Sequence, residues 1–179
     1  AQFIGLSSEV HATSGYGTTY RVYAHFDSPS DEVLGVYSIG QEEEGAVNLD
    51  LGTTTSFFQV PLGMGGSDLG SGIYEWLFPM FPDLEHDSWL TIGSTSSSDT
   101  SVSSIGMSEA FIDFNTGSGF TLDGAIGGSW YVTPNSNPLA LAGENGKVLL
   151  AQLTAADAVD GVGHVICNWN INWRDADGN

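Results

Sequence analysis

Basic residues are almost missing from this chain of 179 residues. Only Arg21, Lys147 and Arg174 are Lys or Arg, against 22 Asp and Glu residues, so the formal net charge is -19. A surface this acidic repels phosphate backbones and anionic lipids, which excludes nucleic acids and acidic membranes as partners. Salt or divalent cations would screen the self-repulsion of the folded chain, which favours saline surroundings such as seawater. Solubility alone is the simpler explanation of the charge.

Disulfide pairs and long apolar runs are missing as well. Cys167 is the only cysteine, so no disulfide within the chain is possible. No apolar stretch approaches the roughly 20 residues that a membrane-spanning helix needs, and we therefore expect no membrane insertion. The sequence starts at Ala1 without methionine or a basic leader, as is typical of a chain that has lost a signal peptide. We expect a secreted, extracellular protein.

The motifs of the common enzyme classes are also missing. No serine lies in a Gly-x-Ser-x-Gly elbow, and there is no His-Glu-x-x-His zinc motif and no phosphate-binding Gly-x-x-x-x-Gly-Lys loop. A carboxylate pair for glycoside hydrolysis could lie anywhere among so many acids, so any such pair is uninformative. We expect a protein that is not an enzyme.

What the sequence does contain is a period-two alternation of apolar and polar residues. The pattern is clear at residues 20–26 and returns at residues 165–173, where Val165, Cys167 and Trp169 share one face. Such alternation predicts half-buried strands, so Cys167 should be buried. Shorter apolar runs between Gly, Pro, Asn, Asp and Ser clusters predict further strands. They lie at residues 33–39, 54–60, 89–92, 110–114, 130–133 and 148–153.

Helix signals are weak by comparison. The chain contains 24 glycines, and few stretches keep apolar residues at helical spacing. Residues 73–78 are the best helix candidate. About nine short strands without βαβ alternation predict an all-β fold, an antiparallel β-sandwich or jelly roll with few short helices, as a single domain over residues 1–179.

Five blocks of sequence, spread over most of the chain, carry a resemblance. They are YRVYAHFD at 20–27, TTSFFQ at 54–59, FPDLEHDSWLTIG at 81–93, AIGGSWY at 125–131 and GKVLLAQLT at 146–154. With these blocks the chain resembles secreted acidic β-sandwich proteins of marine microbes. The resemblance implies a secreted β-sandwich, and it implies no catalytic or binding residue.

Acid-rich turns are candidate calcium sites, because Ca²⁺ binds several carboxylate and carbonyl oxygens. The first acidic turn, residues 27–32, connects two predicted strands and is stiffened by a proline. The second, residues 83–87, alternates its acids, which would place them on one side of an extended segment. For each turn the favoured alternative is an ordinary solvated turn. The candidate ligands are Asp27, Asp31 and Glu32 in the first turn and Asp83, Glu85 and Asp87 in the second.

Aromatic residues and prolines are dense in residues 74–82, the aromatic segment. This density is unusual for an exposed loop, so the segment either covers the core or forms a patch that contacts a partner. Aromatic rings could alternatively stack on the faces of sugars. The candidate interface residues are Tyr74, Trp76, Phe78 and Phe81.

Two hypotheses about function follow from these features. The first is a non-catalytic structural or interaction protein that assembles with copies of itself into an extracellular filament, sheath or surface layer. The second is a calcium-supported carbohydrate-binding module whose partner is a polysaccharide. Large particles in the absence of sugar would favour the first hypothesis, and a monomer retarded on a polysaccharide matrix the second.

Overall fold

The computed structural model describes residues 1–179 and is built mostly from β-strands. Strand residues make up 39% of the chain and helical residues 14%, which confirms the predicted β-rich chain with few short helices. None of the helices has the length and apolar character of a bilayer-spanning segment. The elements are β1 (Phe3–Ser14), β2 (Gly17–Phe26), β3 (Glu32–Tyr37), β4 (Leu49–Thr53), β5 (Trp89–Leu90), β6 (Ser103–Ile105), α1 (Ser108–Asn115), β7 (Phe120–Leu122), β8 (Ser129–Tyr131), β9 (Lys147–Ala155), β10 (Val165–Asn168) and β11 (Asn170–Arg174).

The strands form three antiparallel sheets. Their orders are β1-β2-β9-β5, β10-β4-β7 and β11-β3-β8-β6. All three sheets contribute side chains to one core of 24 buried residues. Trp130 of β8 lies at its centre, fully buried, and its indole N–H donates to the carbonyl of Thr91 at 3.1 Å.

The alternation at residues 20–26 produces the predicted strand β2. Val22, Ala24 and Phe26 are buried in the core, while the residues between them are only half-buried. β9 confirms the strand predicted at residues 148–153. It is buried along almost its whole length, because one face meets the large core and Leu149 on the other face packs against Ile73 and Trp89. The strands predicted at residues 33–39 and 130–133 correspond to β3 and β8, and residues 89–92 contain the two-residue β5.

The alternating run at residues 165–173 is divided between two sheets. β10 pairs with β4 and β11 pairs with β3, and Trp169 lies at the junction with its ring edge-on to Trp130 at 5.3 Å. The predicted side-chain orientation in β10 is confirmed, since Ile166 is exposed and Cys167 packs against the core. Cys167 is nevertheless half-buried rather than buried, because β10 is an edge strand.

Three predictions of secondary structure are wrong. Residues 110–114 lie in α1, where Ala110 and Phe114 are four residues apart and both buried. A short apolar run does not distinguish a strand from a buried helical turn, and here the helical spacing matches the core. Residues 54–60 form no strand, and β4 ends just before them. Residues 73–78 contain only the 3₁₀ turn Glu75–Leu77 instead of an α-helix.

Candidate functional site

The longest strand, β1, lies at the edge of its sheet. It has 12 residues, pairs only with β2 and contains no buried residue. The backbone groups on its outer side make no hydrogen bond within the chain. Proteins usually shorten such edges, cover them or give them charges and prolines, because unpaired backbone groups are a template for another strand. β1 has no proline, and Glu9 is its only Asp, Glu, Lys or Arg residue.

A regular stretch of β1 is available for pairing. The register against β2 shifts between Phe3 and Gly5 and again between Val10 and Ala12, and it is uninterrupted over residues 5–10. Such β-bulges bend a strand and limit its pairing. The six residues between the two bulges match the usual length of a strand in a sheet, about 5–6 residues.

The four strands of the sheet that contains β1 carry none of the chain's excess negative charge. They contain two basic residues, Arg21 and Lys147, and one acid, Glu9. Glu9 lies opposite Arg21 in the β1–β2 register, and the Lys147 ammonium is 2.6 Å from its carboxylate. These strands therefore have a net charge of about +1 in a chain whose formal charge is -19.

The aromatic segment is a second exposed apolar surface. Tyr74, Trp76 and Phe81 are exposed, with 67% of Trp76 accessible, whereas Phe78 packs against the small cluster of Ile73, Trp89 and Leu149. Three of the four predicted interface residues therefore face outwards. Exposed Trp and Tyr side chains are enriched at protein interfaces, where they contribute much of the binding energy.

The exposed rings of Tyr74 and Trp76 do not form a flat platform. Their centroids are 6.3 Å apart, and their planes are inclined at 70°. A pyranose face stacks on an aromatic ring that lies parallel to it, so these two rings cannot both stack on one sugar face. The arrangement suits a protein partner better than a polysaccharide surface.

The first acidic turn separates the three acids that were predicted to act together. Glu32 is buried and points away, because Arg174 Nε donates to its Oε2 at 2.7 Å and the amide of Asn135 donates to its Oε1 at 2.8 Å. Asp27 is exposed and accepts from the amide of Gln2 at 2.6 Å. Asp31 is fully buried, and neither of its carboxylate oxygens has a hydrogen-bond partner.

The second acidic turn is not extended, and this prediction is wrong. Residues Pro82–His86 form a 3₁₀ helix, in which residues two apart point in different directions. The Tyr16 hydroxyl donates to Asp83 at 2.6 Å, and Glu85 is exposed. Asp87 is buried and accepts from the amides of Val60 at 2.8 Å and Ser67 at 3.0 Å. The three carboxyl groups therefore do not converge on one ion.

Elsewhere, too, no three Asp, Glu, His or Cys side chains lie close enough to hold a metal ion between them. His11 and His86 line a small pocket beside Arg21, with a volume of about 100 Å³. Partial burial, and then the charge of Arg21, lower the pKa of His11. Pockets that hold small-molecule ligands usually have volumes of about 300–1,000 Å³, so this pocket is too small for a sugar ring with its substituents.

Comparisons of the chain with protein-family models, with curated proteins and with solved structures gave no match. The features that bear on function are those of the molecule itself. The sequence predicted the exposed rings of the aromatic segment but not the edge strand β1. Both faces of β1 stay partly exposed, so its sequence shows no alternation of core and surface residues.

Proposed function

We propose that this chain is a non-catalytic extracellular structural protein that assembles with copies of itself into a filament, sheath or surface layer. The unpaired outer edge of β1 is the observation that carries the proposal. An antiparallel strand edge is complementary to itself, so β1 of one copy pairs with β1 of a second copy around a two-fold axis.

The charge distribution favours a second copy of this chain as the partner that pairs with the outer edge of β1. Two chains with a formal charge of -19 each repel over most of their surfaces. The β1 sheet is where this repulsion is smallest, because Arg21 and Lys147 offset Glu9 there. Two copies can therefore approach each other through this sheet at lower electrostatic cost than through the acidic turns.

The aromatic segment supplies the second contact that an extended assembly needs. A two-fold pair of β1 strands closes on itself and gives a dimer, whereas a filament or layer requires another interface. Trp76, Phe81 and Met80 are at least half exposed within a few residues of one another. Burial of these side chains against a neighbouring dimer would stabilise the assembly, at roughly 25 cal/mol per Å² of apolar surface.

We further propose that the three sheets are the layers of a β-sandwich of the jelly-roll kind. The single core that receives side chains from all three sheets supports this arrangement. The passage of the chain from β10 to β11, which brings it from one sheet into another at Trp169, also supports it. Sheets packed face to face leave their edges open, and β1 is the longest edge strand.

The calcium-supported carbohydrate-binding module is the less favoured alternative. The inclined rings of Tyr74 and Trp76 offer no flat platform on which a sugar face could stack. Retention of the monomer on a polysaccharide matrix would support this alternative. Release of reducing sugar by the purified protein would contradict the non-catalytic part of the proposal.

The experiment compares two variants that add the same charge at equally exposed aliphatic positions. Val10→Glu lies on β1, where 63% of the side chain is accessible, and Ile112→Glu lies on α1, where 66% is accessible. Unfavourable contacts across a strand pair cost up to about 1 kcal/mol each. A two-fold interface contains the substitution twice, so the dissociation constant of the Val10→Glu dimer should rise by up to about 30-fold.

The oligomeric state is measured by light scattering after size exclusion over a range of protein concentrations, with electron microscopy of the largest species. We expect concentration-dependent assembly in the wild type and in Ile112→Glu, and weaker assembly in Val10→Glu. A wild-type chain that stays monomeric at every concentration would contradict the proposal. Equal assembly of the two variants would show that β1 is not the interface.

A further inference from the structure

A groove lies between helix α1 and the edge strand β7. Its volume of about 550 Å³ is within the range of about 300–1,000 Å³ that is usual for ligand sites in proteins. α1 forms one wall, and residues 120–127, which comprise β7 and the start of the connection to β8, form the other. The rings of Phe114 and Phe120 pack edge-on at 6.0 Å and hold α1 against β7. Both walls are therefore fixed by the core.

The groove follows the edge of β7 rather than one face of its sheet. Four consecutive residues, 120–123, line it. Successive side chains of a strand point to opposite faces, so a cavity on one face would contact only every second residue. The groove therefore runs along the backbone of β7.

The outer side of that backbone is free to pair. β7 is the last strand of its sheet and pairs only with β4. Apart from this pairing, no backbone group of residues 120–123 makes a hydrogen bond within the chain. An exposed sheet edge binds an extended peptide as an added strand, through main-chain hydrogen bonds. Three strand residues span about 10 Å, which is enough to pair with about three to five peptide residues.

The charge of the groove is purely negative. Glu109, Asp113 and Asp123 line it, all three are exposed, and no Lys, Arg or His residue is among its lining residues. Glu109 and Asp113 are four residues apart on α1 and so share one side of the helix. A bound segment with basic side chains would neutralise these carboxylates.

The chain itself has no free cation for this groove. Lys147 is paired with Glu9, and Arg174 with Glu32. Arg21 donates to the side chain of Gln152, and the amino terminus lies 3.9 Å from Asp27. A second copy brings the same few basic groups and a formal charge of -19, so it is a poor partner for this edge.

Apolar side chains at the groove suit the other residues of such a segment. Leu122 is half-buried in the β7 wall, and Ile126 stands at the open side with 87% of its surface exposed. An extended peptide directs alternate side chains to opposite sides. Its apolar residues can therefore contact Leu122 and Ile126 while its basic residues reach the carboxylates.

We propose that the groove between α1 and β7 binds an extended basic segment of another protein, which pairs as an added strand with the outer edge of β7. The same electrostatic argument assigns different partners to the two edges. The β1 sheet has a net charge of about +1 and suits a second copy, whereas three unpaired acids border β7. The site does not depend on self-assembly through β1, so the failure of one leaves the other standing.

A fluorescein-labelled hexapeptide of alternating Lys and Val, with both ends blocked, is the probe, and fluorescence anisotropy measures its binding. The groove variant combines Glu109→Gln, Asp113→Asn and Asp123→Asn. The control variant combines Glu144→Gln, Asp157→Asn and Asp160→Asn, which removes the same number of exposed acids outside the groove. We expect saturable binding to the wild type and to the control variant. The groove variant should bind more weakly, by up to about fivefold for each charge removed.

N-methylation of the peptide tests strand pairing separately from charge. One peptide is methylated on its Val amides and another on its Lys amides. In an added strand only alternate residues direct their N–H groups to the neighbouring strand. We therefore expect one of the two peptides to bind at least about fivefold more weakly and the other to bind like the unmodified peptide.

Three results would overturn the site. The first is no saturable binding of the unmodified peptide to the wild type. The second is an equal loss of affinity in the groove and control variants, which would show attraction to the overall charge only. The third is binding that neither methylation weakens, which would show that the peptide does not pair with β7.

Discussion

Asp87 gives the protein an unusual dependence of stability on pH. Its carboxyl group is fully buried, and burial raises its pKa from 3.8 to about 7 against the opposing hydrogen bonds from the amides of Val60, Ser67 and Ser88. The same carboxyl group holds Val60 and Ser67 together across the loop between them. In the unfolded chain Asp87 titrates as an ordinary aspartate, so folding changes its affinity for a proton.

The sign and the size of this effect follow from the two pKa values. Between pH 3.8 and about 7 the folded chain binds the proton that the unfolded chain has lost, so the free energy of unfolding falls as the pH rises. The contribution is fully present below pH 3.8 and lost once the pH exceeds about 7. A difference of about three pKa units corresponds to about 4 kcal/mol. For a chain of this length the Tm should therefore fall by about 8–16 °C between pH 4 and pH 8.

Thermal unfolding between pH 4 and pH 8 measures this slope. Sodium chloride at about 1 M shortens the Debye length to about 3 Å and screens the exposed acids, and EDTA removes divalent cations. Asp87→Asn cannot titrate and should show a flatter profile. Glu85→Gln, an exposed acid two residues away, should keep the wild-type slope. A wild-type Tm that rises with pH between 4 and 7, or an unchanged slope in Asp87→Asn, would refute the reasoning.

Two further predictions concern the core. Burial raises the pKa of Cys167 to about 12. At pH 8 the native thiol should therefore react with a thiol reagent far more slowly than the same cysteine in the urea-unfolded chain. Equal reaction rates would show that Cys167 does not pack against the core. Phe114→Ala should lower the free energy of unfolding by about 3–5 kcal/mol in urea titrations, because Phe114 is fully buried between Phe57 and Phe120. Ile112→Ala, on the exposed side of the same helix, should change it by less than about 0.5 kcal/mol, and a similar loss in both variants would contradict the assigned faces of α1.

Local pattern predicts the strands whose two faces differ. β2 was predictable because its apolar residues meet the core and its polar residues do not. α1 was misread as a strand, since Ala110 and Phe114 are apolar at a spacing that fits a helical turn as well as a strand face. β1 was not predicted because both of its faces are partly exposed, so its sequence shows no alternation of core and surface residues.

The candidate sites show the same limit. The aromatic segment was predictable from composition, because its rings lie close together in the sequence. The groups that hydrogen-bond to the acids of the two turns were not predictable, because they come from distant parts of the chain. Arg174 reaches Glu32 only through the pairing of β11 with β3. No pattern within residues 27–32 indicates which of their acids pairs with a basic residue.

Hydrogen exchange of β1 tests the central claim most directly, because self-assembly through this strand protects amides that the isolated chain leaves unbonded. Every second residue of residues 5–10 directs its backbone groups away from β2. We expect the amides of these residues to exchange more slowly as the protein concentration rises, in the wild type and in Ile112→Glu, and this slowing to be reduced in Val10→Glu. Exchange of the β1 amides that is independent of concentration, in a sample that light scattering shows to be assembled, would contradict pairing through β1.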